Sequence, residues 1–364
     1  MPPAWNDRGV SDPRIAAYAR LLVDCIHPQP GWQVLVRSQP RGRPLVEEVC
    51  RELGRRHVRA LVRLMFDSVG GVFVREAPLE LLSRLSEIER HEVDTANSYM
   101  ALIAPENTRE GSDVPAERAG IRQAAMRTAH EPYLRDEKPW VGCYFPTEAA
   151  AQDAGMTLHQ FEEFLYGAVL IDWKALGERM EKIAERFDAA ETVRIVGKGT
   201  DLTFSLAGRE GKVDALGANM PGGEIFYCPV EDSAEGVINY SEYPACYIGH
   251  EVNGVRFRFE GGRIVEASAT SDEEFLLGTL DTDEGARRLG EFGIGCNPGI
   301  QRHVKNTLFD EKIEGTIHLA IGTGFPQIGG QNKSAIHWDM VKELRNGGRI
   351  ELDGEVVQEN GQWL

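Results

Sequence analysis

The residues best suited to do chemistry lie in the second half of the chain. Ile336-His337-Trp338-Asp339-Met340 reads as a strand, and in a strand residues i and i+2 point to the same face. His337 and Asp339 would then present an imidazole beside a carboxylate, a pair that suits a borderline-to-hard divalent cation such as zinc, cobalt or manganese. The same pattern also describes a surface histidine beside a solvated aspartate. His318 sits inside the apolar run Thr316-Ile317-His318-Leu319-Ala320-Ile321-Gly322. Alone it reads as a hydrogen-bonded core histidine; a second imidazole near it would change that reading. Glu224 follows Pro221-Gly222-Gly223 and opens the run Ile225-Phe226-Tyr227-Cys228, and Glu291 follows Leu289-Gly290 and precedes Phe292-Gly293-Ile294-Gly295. A carboxylate carried into a buried strand is costly unless paired, protonated or metal-bound; a strand-end acid that reaches solvent fits the same spacing. Taken together, these three carboxylates and two imidazoles make a candidate metal cage. No cysteine stands in suitable spacing, which argues against structural zinc. An oxygen-rich set of histidines and carboxylates is typical of a catalytic site that keeps positions for water and substrate.

Several segments resemble the aminopeptidase T and aminopeptidase S family of thermophilic-type metallo-aminopeptidases. They are Gly199-Thr200-Asp201-Leu202, Asn219-Met220-Pro221-Gly222-Gly223-Glu224-Ile225-Phe226, Leu289-Gly290-Glu291, Asn306-Thr307-Leu308-Phe309-Asp310-Glu311, His318-Leu319-Ala320-Ile321-Gly322 and His337-Trp338-Asp339, in the family order. Weaker similarity runs through the first half, from Tyr18-Ala19-Arg20-Leu21-Leu22-Val23 to Pro146-Thr147. The resemblance implies a centre of two divalent ions (zinc, cobalt or manganese) surrounded by Glu224, Glu291, His318, His337 and Asp339. It also places Glu311 close to that centre, as a further ligand or a proton shuttle, although the interval from Glu311 to His318 is two residues longer than the common pattern. The implied reaction is hydrolysis of an amide or peptide bond next to a free amino group, with a metal-activated water as nucleophile. Small peptides or aminoacyl amides are the implied substrates, and a homodimer the implied assembly.

One position departs from the family in a way that matters for chemistry. Phe325 stands where the family usually has a tyrosine thought to assist the tetrahedral intermediate, and a phenyl ring cannot donate that hydrogen bond. A second enzymatic reading is a mononuclear-iron, ring-cleaving dioxygenase of the dihydroxypyridine type on the same fold. His318, His337 and Asp339 could supply its two histidines and one carboxylate. Retention of both Glu224 and Glu291 favours the hydrolase. Gly197-Lys198-Gly199 reads as a β-turn, since the phosphate-loop pattern is absent. No Gly-x-Ser-x-Gly elbow supports a serine hydrolase.

The elements that must position these residues form two textures. Residues 1–188 alternate strand-like and helix-like segments, which predicts an α/β domain with parallel strands covered by helices. Helices are expected over 13–26, 43–56, 78–92 and 114–136, and a long one over 157–188. Residues 189–364 are rich in short β segments and glycines, and predict a β-rich α/β domain that carries the whole metal cage.

Composition narrows the partners. With 40 Lys and Arg against 57 Asp and Glu, the formal charge is −17, which argues against nucleic acid or an anionic membrane. The longest uncharged stretch, 315–332, is broken by glycines and Pro326, so it does not read as a membrane span. The polar start MPPAWNDRGVSDPR does not read as a signal peptide. The 6 scattered cysteines, without a CxxC pair, read as reduced thiols of a cytoplasmic protein.

Overall fold

Apolar strands separated by helical connections pair in parallel, because a parallel neighbour needs a crossover long enough to return to the same end of the sheet. The computed structural model describes residues 12–134 and 137–364. The polar start through Ser11, and residues 135 and 136 of the expected 114–136 helix, lie outside them. Strands Gln33–Ser38, Arg59–Leu64, Ser98–Ile103 and Trp140–Tyr144 are parallel, with Gln33–Ser38 between the second and third. A short strand, Asn219–Met220, joins the edge beside Trp140–Tyr144.

Two helical expectations differ in detail. The segment expected as one helix over 78–92 lies in a stretch of three helices, Asp67–Glu76, Leu79–Leu82 and Glu87–Thr95. Pro78 stands at the start of the second, and Ser86 with Glu89 forms a reciprocal capping box that starts the third. The segment 157–188 is likewise two helices, Leu158–Val169 and Trp173–Asp188. Leu170 leaves helical geometry, and the Asp172 carboxylate accepts the Ala175 N–H at 3.0 Å, which caps the second helix. Apolar periodicity runs through the break, so only the cap marks it.

The chain forms two compact units. One extends to Leu170 and takes in Gly217–Met220; the other comprises Ile171–Leu216 and Pro221–Leu364. Within the second unit, Thr192–Gly197 and Thr200–Ser205 form a hairpin turned by Gly199, whose φ is +63°, as the β-turn reading expects. They belong to an antiparallel sheet of eight strands.

The second unit's other large sheet carries the candidate site. Its strands are β1 (Lys212–Asp214), β2 (Glu224–Tyr227), β3 (Leu289–Gly295), β4 (Thr316–Gly322) and β5 (His337–Glu343). They are antiparallel throughout, in the order β5-β4-β3-β2-β1. One face is apolar: Tyr227, Phe292, Leu319 and Met340 are paired across it and buried. Phe292 packs there against Phe204 and Phe187, with ring centres 5.0 and 5.9 Å away. The opposite face brings ionisable side chains together among small residues. Across it, Gly293 pairs with His318, Ala320 with both Glu291 and Asp339, Gly322 with His337, and Gly295 with Glu224. Among the described residues, no helix is long and apolar enough to cross a membrane.

Candidate metal centre

Each candidate ligand is set by its strand and by the residues that make room for it. Glu224 enters β2 through two glycines that nothing larger could replace. A Cβ on Gly222 would lie 2.2 Å from the Ala215 carbonyl oxygen, and Gly223 has φ +109° with Asn297 packed against it. Asn297 holds the turn by donating from Nδ2 to the Gly222 carbonyl at 2.9 Å. Glu291 follows a register irregularity in β3 between Leu289 and Glu291, which aligns its side chain with Ala320 and, beyond that, Asp339. His337 and Asp339 share a face of β5, as strand alternation predicts.

The side chains converge. Glu291 spans the two histidines, with Oε1 3.5 Å from His318 Nε2 and Oε2 3.0 Å from His337 Nε2. Glu224 Oε2 lies 3.5 Å from His318 Nε2, and Asp339 Oδ1 lies 3.6 Å from His337 Nε2. Two sets of donor atoms result, Glu224 with Glu311 and His318, and Glu291 with His337 and Asp339; within each set the atoms lie within 4.8 Å of one another. Glu224, Glu291 and His318 are buried.

Both imidazoles are oriented from behind. Nδ1 of His318 donates to the Glu311 carbonyl at 3.0 Å, and Nδ1 of His337 to the Thr323 carbonyl at 2.9 Å. That arrangement fixes the ring and leaves Nε2 as the inward lone pair, which is how metal-binding histidines are commonly held. Glu224 Oε2, His318 Nε2 and Asp339 Oδ1 are buried without a hydrogen-bond partner. A buried polar atom left unpaired is costly. Such atoms inside the two donor sets fit divalent cations, and the oxygen and imidazole chemistry suits zinc, cobalt or manganese.

The electrostatics express the same demand for positive charge. Burial raises the Glu291 carboxyl, but the His318 and His337 imidazoles beside it outweigh this and bring it down to about 2. Burial lowers His318, yet Glu291, Glu224 and Asp339 lift it to about 9. His337 is raised well above the usual imidazole range against its burial, chiefly by Asp339 and Glu291. Glu311 moves the other way: burial pushes it up to about 8 and the Glu224 charge adds to this, against the pull of Lys312. Clustered buried carboxylates draw in either protons on the imidazoles or a metal ion that competes for the same nitrogens.

All the sequence candidates fall in this one place. Glu311 joins Glu224 and His318 despite its longer interval to the histidine. The short helix Thr307–Asp310 before it is capped by Asn306, and Asp310 accepts the Val304 and Asn306 N–H groups. The Phe325 ring lies 5.2 Å from the His337 ring and 5.5 Å from that of Phe226, so it borders the site as an apolar wall. Its backbone N–H donates to Cys228 Sγ at 3.2 Å. Two participants escaped the sequence reading. Gly293 leaves the space in which the His318 ring sits, and Lys312 is buried against Glu224 and Glu311. The only signal for the lysine is its place directly after Glu311.

Residues 11–363 match the model of a family described as thermophilic metalloprotease (M29). The chain is 27% identical to aminopeptidase AmpS of Bacillus subtilis, over 96% of this chain and 98% of that protein. It is 31% identical to aminopeptidase T of Thermus aquaticus, over 69% of this chain and 72% of that protein. The solved structure of wild-type AmpT from Thermus thermophilus aligns with a TM-score of 0.80 at 23% identity, covering 97% of this chain and 99% of that one, and so shares the fold.

Proposed function

The chain belongs to the thermophilic metalloprotease (M29) family, and on that premise we propose that it is a metal-dependent aminopeptidase whose centre is formed by Glu224, Glu291, His318, His337 and Asp339. The observation that carries this reading is the meeting of two backbone-anchored imidazoles with buried carboxylates, three of whose inward atoms have no hydrogen-bond partner. When bound, a divalent ion such as zinc, cobalt or manganese supplies Lewis acidity there, activating a water as nucleophile and polarising the scissile carbonyl.

The protein's own residues do the rest. Glu291 holds both imidazoles toward the centre. Glu311 stands beside Glu224 and His318, where it can relay a proton to the departing amine. The negative potential of the clustered carboxylates attracts the substrate's free ammonium group. Phe325 and Phe226 offer an apolar surface to a side chain of a small peptide or aminoacyl amide. The family resemblance further supports a homodimer, and cysteines held as thiols rather than disulfides fit a cytoplasmic setting. The iron dioxygenase reading is not adopted: Glu224 and Glu291 both stand against His318, more carboxylate than a two-histidine, one-carboxylate iron site uses.

The test uses aminoacyl p-nitroanilides and short peptides, each with a free or an acetylated amino terminus. Treatment with a chelator should abolish cleavage, and zinc, cobalt or manganese should restore it on the free-amine substrates alone. Equal cleavage by the chelated protein, or of the acetylated substrates, would overturn the proposal.

A further inference from the structure

Lys312 has no exposed surface, and its ammonium lies inside the candidate centre. Nζ is 3.1 Å from Glu224 Oε1 and contacts Glu311 Oε1 as well. Glu224 and Glu311 are the two carboxylates of one donor set, so a covalently tethered positive charge already sits between them. A metal ion shared by those carboxylates and this ammonium would compete for the same oxygens at contact range. Like charges that close in a buried place repel strongly.

The other set differs in kind. Glu291 and Asp339 pair with His337, whose Nε2 points at both carboxylates and is itself a metal-ligating atom. A lysine ammonium is a donor with no lone pair for a metal ion, and its backbone is tied down, since the Lys312 carbonyl accepts the Asn297 N–H at 3.0 Å.

We propose that Lys312 is a built-in cation standing in for a second metal ion. The centre then binds one divalent ion tightly, at Glu291, His337 and Asp339, and a second only weakly. On the Glu224 side the lysine offers a fixed hydrogen-bond donor in place of a second Lewis acid. This inference rests on the metal-centre reading above and adds to it the number of ions.

The experiment titrates chelator-stripped protein with Co²⁺ and with Zn²⁺ by calorimetry, and counts retained metal by elemental analysis. Wild type is compared with Lys312→Gln and Lys312→Met, with circular dichroism and thermal unfolding to verify that each variant folds. The expected result is one tight equivalent in wild type and a second in the variants, with the second tightened by about a hundredfold. Two tight equivalents in wild type would overturn the inference and leave the metal-dependent reading standing. One equivalent in both wild type and the folded variants would also overturn it, because the lysine would not be what excludes the second ion. No binding by wild type would overturn the metal-centre reading itself, and this inference with it. Two tight equivalents in wild type overturn the inference even if both variants unfold.

Discussion

A Cβ on Gly293 would lie 1.9 Å from Cε1 and 2.1 Å from Nε2 of His318, its partner across β3 and β4. The imidazole occupies the space that the glycine leaves, and that space puts Nε2 within reach of both Glu224 and Glu291. Gly293→Ala must push the ring away from them. We expect a fall in turnover of about 10²-fold, for a stability cost of only about 1–3 kcal/mol. Turnover assays beside a denaturant titration check this; an alanine variant with full turnover would show that the glycine does not set the ring.

Removal of a candidate ligand should act on metal content first. Glu291→Ala and Asp339→Ala should each weaken affinity for the tightly held ion by more than about 10²-fold, beyond what losing a ligand's supporting partner usually costs, whereas Glu224→Ala and His318→Ala should weaken the loosely held second ion. Glu291→Ala should be the most severe, since that carboxylate contacts both imidazoles. Glu311→Gln should reduce turnover more than metal content. Unchanged stoichiometry across the alanine variants would refute the assignment.

The metal-free protein should show a defined pH window of stability. Glu291 is held at about 2, below its ordinary 4.5, by His318 and His337 against its burial. Its contribution is therefore present above the ordinary value and disappears as pH falls through about 2. His318 is raised from 6.5 to about 9 by Glu291 against its burial, so its contribution is present below 6.5 and disappears as pH rises through about 9. The chelated protein should be most stable between about pH 5 and 6.5 and weaken steadily above that range. Metal must displace the imidazole proton, so the gain in melting temperature on adding Zn²⁺ should grow over the same interval. Thermal melts with and without Zn²⁺ from pH 5 to about 9 measure both trends; a metal effect independent of pH would contradict them.

Phe325→Tyr adds one hydroxyl beside His337, where the parent ring lies 5.2 Å from the imidazole. If that hydroxyl reaches the developing oxyanion, turnover on simple aminoacyl amides should rise by up to about 10²-fold. KM should stay nearly constant, because the new hydrogen bond strengthens in the transition state. A drop in turnover would instead place Phe325 against an apolar part of the substrate, and unchanged kinetics with metal intact would remove it from the chemistry.

Much of the site was legible before any tertiary structure, for a local reason. The two-residue period of a strand put His337 and Asp339 on one face, and acids opening apolar runs marked Glu224 and Glu291 as carboxylates that had to be compensated. Alternating strands and helices likewise announced the parallel sheet of the first unit. What stayed hidden depends on partners distant in the chain. The break at Asp172 rests on one side-chain cap within an uninterrupted apolar period. Glu291 stands between two imidazoles only because of the register of β3, β4 and β5 and the irregularity before it, which backbone pairing and packing decide together. Nothing in the sequence singles out Lys312 beyond its place directly after Glu311. Its burial against Glu224 is a tertiary fact, and a lysine withdrawn from water needs an opposite charge to offset its desolvation. The residue types were therefore set by the sequence alone, whereas the contacts among the charges were decided by the fold, since electrostatic coupling depends on distance and burial rather than on order along the chain.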